Sequence, residues 1–191
     1  MDIVGLIKSA PVVDLAILIG LGVFFFLGVM QGAIRRLLGI ASILFAFLIA
    51  GNLRDTAGDF LAHNWAQFDL GYNRLLAFAI VFVVLSVALT ITIQGFYKRT
   101  DVSADHPIID DIFGGLLGLL QGLLILLLVV IVLSSYPLPP ARAGDVSQLR
   151  DAQDMLVTQS HIGKWMKNVL APPFVHLLGV LLPSDLVSTF H

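Results

Sequence analysis

His106-Pro-Ile-Ile-Asp-Asp111 sets a histidine and a carboxylate at His-x4-Asp spacing, an arrangement in which an imidazole can take a hydroxyl proton while the acid orients it for acyl transfer. It is a two-residue pattern whose chance of a match is doubled by the adjacent Asp110, and no Pro-Glu-Gly motif follows it. Gly-x-Ser, Gly-x-Gly-Asp and His-Glu-x-x-His are absent, and a chain without cysteine has neither a thiolate nucleophile nor a thiolate metal ligand. No catalytic residue, metal or cofactor is therefore assigned, and no small-molecule substrate is identifiable.

The remaining polar residues of interest border or interrupt apolar runs. Asp14, Asp110 and Asp111 stand at the starts of two such runs, and Arg35-Arg36 stands between two others. An ionised carboxylate at the centre of a bilayer costs at least about 2.5–3.5 kcal/mol, whereas at a helix N-terminus near the interface it is hydrated and favoured by the helix dipole. These acids read as helix caps or ion-pair partners, with proton or ion handling as the alternative. Arg35 and Arg36 can pair with them or reach lipid phosphates. Gln31 and Gln121 occupy equivalent places in Gly28-Val-Met-Gln-Gly32 and Gly118-Leu-Leu-Gln-Gly122. They form either hydrogen-bonded glue between helices or the polar lining of a conduit.

The elements that must position these residues follow from composition. The chain is 58% hydrophobic and 13% charged, against roughly 45–50% and about 25% in ordinary globular domains. Such a chain cannot cover a soluble core with polar side chains, and the solvent it suits is lipid. A net charge of −2 gives no basic patch for nucleic acid. Charge-free windows at Leu15–Ile34, Leu37–Leu53, Leu75–Ile93 and Ile112–Leu133 each approach the ~20 residues that cross a bilayer. The expected fold is all-α, an integral membrane protein with four transmembrane helices and a C-terminal amphipathic helical segment. The first window is too long for the core of a signal peptide and reads as a retained span.

Only Arg35 and Arg36 separate the first two windows, and one helix over both would be about 58 Å long, so the chain must break near Gly28–Gly32. Asn52 to Arg74 reads as an extramembrane loop, and Trp65, Tyr72, Tyr97 and Tyr136 as interfacial anchors. Pro137-Leu-Pro-Pro140 stops the fourth span and divides a membrane domain, 1–136, from a tail, 137–191. In the tail, Ile162, Trp165, Met166, Val169 and Leu170 form one apolar stripe. Phe174, Leu177, Leu178 and Leu181 form a second, after Pro172-Pro173. Two amphipathic helices are expected, lying on the membrane surface or capping the bundle.

Gly114, Gly118 and Gly122 repeat every four residues and stack on one helical face, as do Gly28 and Gly32. Lipid offers no hydrophobic drive between helices, so such faces mark close backbone approach to another helix.

The order of these features resembles the colicin V production family. The residues that carry it are Val13-Asp14-Leu15, Gly28 to Gly32, Arg35-Arg36, and Asp111-Ile-Phe-Gly114-Gly-Leu-Leu-Gly118-Leu-Leu-Gln-Gly122. The resemblance covers Val12 to Leu133, with the tail similar only in being amphipathic. Family members commonly carry Arg in both Gly-x-x-Arg-Gly elements, where this chain has Gln31 and Gln121. The resemblance implies a bacterial inner-membrane, multi-pass protein associated with colicin V production and export. It supplies no reaction. The expected role is a non-enzymatic accessory or scaffold protein with a membrane-protein partner or a homo-oligomeric state. The alternative is a small channel or transporter subunit with a conduit near Gln31 and Gln121. Arg35, Arg36, Lys98 and Arg99 in the short connectors are equalled in number by Lys8, Arg54, Arg74 and Arg142 on the other side; because the connector charges are paired and next to the spans, the expected orientation has both termini outside the cytoplasm.

Overall fold

The computed structural model describes residues 11–64, 70–96, 107–135 and 151–179. All secondary structure among them is helical. Four long helices, α1 (Val12–Gln31), α2 (Ala33–Asn64), α3 (Leu70–Phe96) and α4 (Pro107–Ser135), are each long and apolar enough to cross a membrane.

The break between the first two spans is a single residue. Gly32 adopts φ +77°, and its N–H donates to the Gly28 carbonyl at 3.0 Å, closing α1 before α2 begins at Ala33. Positive φ costs glycine nothing and a Cβ-bearing residue appreciably more, so the hairpin turns at a residue for which turning is cheap.

Neighbouring residues fix the directions of the helices. Gly28 meets Gly114, Phe24 meets Gly118 and Leu21 meets Gly122, so α1 and α4 are antiparallel. Asp110 meets Ala33, and Gln121 meets Arg36 and Gly39, so α2 and α4 run in the same sense. Arg74 lies against Gly58 and Phe78 against Phe47, which makes α2 and α3 antiparallel. The spans alternate in direction and lie in the order α1, α4, α2, α3, with the most extensive packing within the pairs α1/α4 and α2/α3.

The two pairs are held by different chemistry. Phe47 is fully enclosed between α2 and α3, edge-on to Phe78 and Phe82, with ring centroids at 5.6 and 6.3 Å. This aromatic cluster joins Ile43, Leu128 and Ile131 in the main core, to which α1 contributes no side chain. The buried residues of α1 are Asp14 and Gly28, and its contact with α4 is glycine on glycine.

α2 differs from the expected loop at its far end. Its 32 residues span about 48 Å, so it continues as helix well past the charge-free window that closes at Leu53. Asp55 and Asp59 on this extension pair with Arg74 of α3 at 3.5 and 3.3 Å, and Arg54 is buried beside them. This polar extension packs on the neighbouring helix, with Gly58 lying against Arg74 of α3.

The tail also departs from two separate helices. Residues 151–159 are helical, with a π-wound stretch at Asp154–Gln159. Ser160 is extended, and helix resumes through residues 161–178 as α5 (His161–Trp165), a π-wound Met166–Leu170 and α6 (Ala171–Leu178). Pro172 and Pro173 lack the N–H groups an α-helix requires. Immediately before them the Ala171 N–H reaches back five residues to the Met166 carbonyl. This π-turn carries the helix through the prolines without a break. It also shifts the buried seam: Met166, Ala171 and Val175 are enclosed in the core, while Trp165, Val169 and Leu177 of the expected stripes are at least half exposed.

The sequence expectations at Trp65, Tyr97, His106, Tyr136, Pro137–Pro140 and Leu181, and at the side chain of Tyr72, lie outside the described residues.

Candidate functional site: a glycine seam closed by polar latches

The α1/α4 seam begins with residues that lack side chains. A Cβ built on Gly114 would stand 2.5 Å from the Gly28 carbonyl oxygen and 3.0 Å from the Gly32 Cα. On Gly118 it would be driven into the Phe24 carbonyl, and on Gly122 it would lie 3.0 Å from a Leu21 methyl. Gly115 adds a contact that the four-residue spacing does not register, since its Cβ would meet Phe25 at 2.7 Å and Val29 at 2.9 Å. The two backbones therefore approach as closely as peptide groups allow. Dispersion and weak Cα–H···O contacts can then hold helices that lipid has no reason to drive together.

Three polar contacts close this seam and tie it to the rest. At one end, Asp110 of α4 accepts from the Ala33 N–H at 3.0 Å, capping α2 across the hairpin corner. Its other oxygen fills the space in which a Gly32 side chain would lie. Asp111, the next residue, is exposed.

In the middle, Arg36 donates from Nη1 to the Gln121 Oε1 at 2.8 Å. Gly39, one turn on, makes room for the Gln121 amide, whose Nε2 would lie 3.1 Å from a Cβ there. Arg36 is 4% exposed, whereas Arg35 is turned outward. The two glutamines are not brought together: Gln31 is exposed at the end of α1, and Gln121 bonds across to α2. Their equal places in the two five-residue elements become unequal because α1 terminates at Gln31, while α4 continues past Gln121 against α2.

At the other end stands the contact that sequence reasoning missed. Asp14, 5% exposed, accepts from the Ser160 hydroxyl, from the His161 N–H at 3.0 Å and from the Ile162 N–H at 3.4 Å. Ser160 in turn accepts from the Gly163 N–H at 2.8 Å. Asp14 thus caps not its own helix but the first turn of a helix 146 residues later. The local signal was present, since Ser160 precedes the apolar-periodic run from Ile162 as an N-cap residue should. The second capping acid could not be read because its sequence separation hides it. Gly163 is needed at this turn, where a Cβ would be driven into the Leu156 carbonyl. Nearby, Gln153 Nε2 donates to the Leu133 carbonyl at 2.6 Å, fastening the tail's first helical segment to the end of α4.

Asp110 is engaged as a cap, and the Ser160 hydroxyl is fully enclosed, with its proton given to Asp14 and a lone pair given to Gly163.

The arrangement extends from residue 14 to the tail, and so does the family likeness. The family model described as "Colicin V production protein" matches residues 13–178, taking in the tail that the sequence motifs had left out. Comparison with curated proteins and with solved structures returns no match. With four apolar helices, one pair of them packed on a glycine seam, and a family match over most of its length, this multi-pass membrane chain belongs to the colicin V production protein family.

Proposed function

We infer that the protein is a non-enzymatic accessory or scaffold subunit of the bacterial inner membrane, serving production and export of a secreted peptide toxin and the upkeep of the envelope. The observation that carries this reading is how the interior polar groups are used. Asp14, Asp110 and Gln121 each hold one helix to another. Polar groups committed to assembly suit a protein that works by what it binds. The family match gives the setting. The conduit reading has weaker support, because Gln31 lies on the surface, away from Gln121, and α1 and α4 touch at backbone distance.

The outward surface fits a partner-binding role as well as lipid contact. Leu18, Ile19, Val23 and Phe26 of α1 and Val83, Val84, Val87 and Ile91 of α3 are all more than half exposed. Site-specific photocrosslinking from these two faces in the native membrane, followed by mass spectrometry, is the test. Recurrent crosslinks to one membrane protein, lost when the α1 or α3 face is altered, support the scaffold. Solute or ion flux through the purified chain in liposomes, abolished by Gln121→Leu without loss of folded protein, would replace the scaffold with a channel.

A further inference from the structure

The tail helix over residues 161–178 is apolar on more sides than its docking uses. Gly163, Met166, Ala171 and Val175 are its buried residues, the last three in the core shared with α2 and α4. Leu170, Phe174 and Leu178 pack beside that core, half-buried. Two residues after Gly163, Ala171 and Val175, and so about 200° around the helix from each, stand Trp165, Pro173 and Leu177, all exposed. Leu177 is 79% exposed, and Trp165 and Val169 are each 51% exposed.

The π-turn keeps this outer row in line. In a regular α-helix each step of four residues advances about 40°, so the three steps from Trp165 to Leu177 would carry the row about 120° towards the buried seam. The wider turn from Met166 to Ala171 takes part of that drift out, and Leu177 stays outside. One flank between the outer row and the seam is polar: Lys164 and His176 each follow a buried residue by one position, with Asn168 between them, all exposed. The other flank is the half-buried apolar one. Residues 155–179 contain Lys164 and Lys167 and no acid.

Depth decides what covers the outer row. Asp14 stands in the first turn of α1 and accepts from the N–H groups of His161 and Ile162, so the tail helix starts where the first span enters the apolar layer. Gln153 is fastened to the Leu133 carbonyl, in the last turn of α4. Because α1 and α4 are antiparallel, these two ends lie on the same side of the membrane, and the tail is tied to both at the bilayer edge. In water, a contiguous row of exposed tryptophan, valine and leucine is an unfavourable surface. At a bilayer edge the same row reaches acyl chains while the polar flank stays among headgroups, the arrangement of an interfacial helix. Trp165 beside Lys164 suits that boundary, where an indole and an ammonium group are both accommodated.

We propose that Trp165, Val169 and Leu177 form a lipid-docking face that inserts into one leaflet of the bilayer, with the polar flank that carries Lys164 turned to the phosphate headgroups. The tail helix is then held on two sides, by the bundle and by lipid, and belongs to the membrane-embedded part of the protein rather than to an aqueous domain. The reading does not depend on the scaffold role, since a scaffold and a channel could each carry the same helix.

Two measurements on the full chain in vesicles of phosphatidylethanolamine and phosphatidylglycerol test this. In the first, the unaltered chain is photolabelled by a phospholipid with a diazirine in its acyl chain, and the adducts are mapped by mass spectrometry. Adducts are expected at Trp165, Val169 and Leu177 and not at Asn168 or His176. The second uses the absence of cysteine: single spin labels are placed through Val169→Cys, Leu177→Cys, Asn168→Cys and Val23→Cys, the last on the exposed face of α1 as the lipid reference. The ratio of oxygen to nickel-chelate accessibility at 169 and 177 should approach that at 23 and exceed that at 168 at least about threefold. A ratio at 169 and 177 equal to that at 168 would place the row in water, and inaccessibility to both reagents would place it against protein. Either result would overturn the proposal, as would the absence of acyl-chain adducts from the tail of the unaltered chain.

Discussion

Gly28 and Gly114 face each other through their backbones, with the Gly28 carbonyl oxygen 2.5 Å from where a Gly114 Cβ would be. Gly114→Ala and Gly118→Ala should therefore each force α1 away from α4 at a cost of about 1–3 kcal/mol, the usual range for overpacking. Gly20, with nothing within 4 Å of its Cβ position, is the matched control. Gly20→Ala should leave the Tm unchanged or raise it, by up to the roughly 1 kcal/mol of helix propensity. Thermal unfolding monitored by size exclusion separates the two cases, and equal losses at Gly20 and Gly118 would remove the seam as an explanation.

The Asp14–Ser160 latch predicts coupling across 146 residues. Loss of an N-cap costs about 0.5–2 kcal/mol, and loss of a hydrogen bond to a charged group about 1.5–3 kcal/mol. Asp14→Ala and Ser160→Ala should each raise hydrogen exchange over residues 161–170, and the double variant should add little to Asp14→Ala alone. Additive effects in that cycle would mean that the two residues act separately.

The glutamines should respond unequally. Gln31→Leu changes an exposed side chain and should be close to neutral, whereas Gln121→Leu removes the acceptor that the Arg36 side chain has among the described residues and should cost about 1.5–3 kcal/mol. Folded yield and Tm of the two variants, prepared in parallel, check this. Equal effects would contradict the arrangement of α2 against α4.

Phe47→Ala should cost less than the roughly 3–5 kcal/mol of a phenylalanine deletion in a water-soluble core. Lipid removes much of the transfer term, and what is lost is contact with Phe78 and Phe82 and the cavity left behind. Arg74→Ala, at the exposed end of the same helix pair, should cost under about 1 kcal/mol, because its pairs with Asp55 and Asp59 are solvated. A greater loss at Arg74 than at Phe47 would place the stability of α2/α3 outside the apolar layer.

The sequence by itself determined the solvent, the number of spans, the glycine faces and the place of the hairpin break, because these depend on local quantities. Hydropathy sums over about 20 residues, glycine faces depend on helical periodicity, and Gly32 turns because it has no Cβ. Only the tertiary structure decided what the polar residues do. Asp14 reads locally as a cap for its own helix, yet its partners are Ser160, His161 and Ile162. Gln31 and Gln121 share a motif but not an environment, because one ends its helix and the other lies under Arg36. The tail's buried seam runs through Met166, Ala171 and Val175 because a π-turn before two prolines rotates the helix, a shift that 3.6-residue periodicity cannot anticipate. Hydrogen bonds and packing phase are settled by which atoms meet in space, and in this chain the decisive meetings join residues 77 to 148 positions apart.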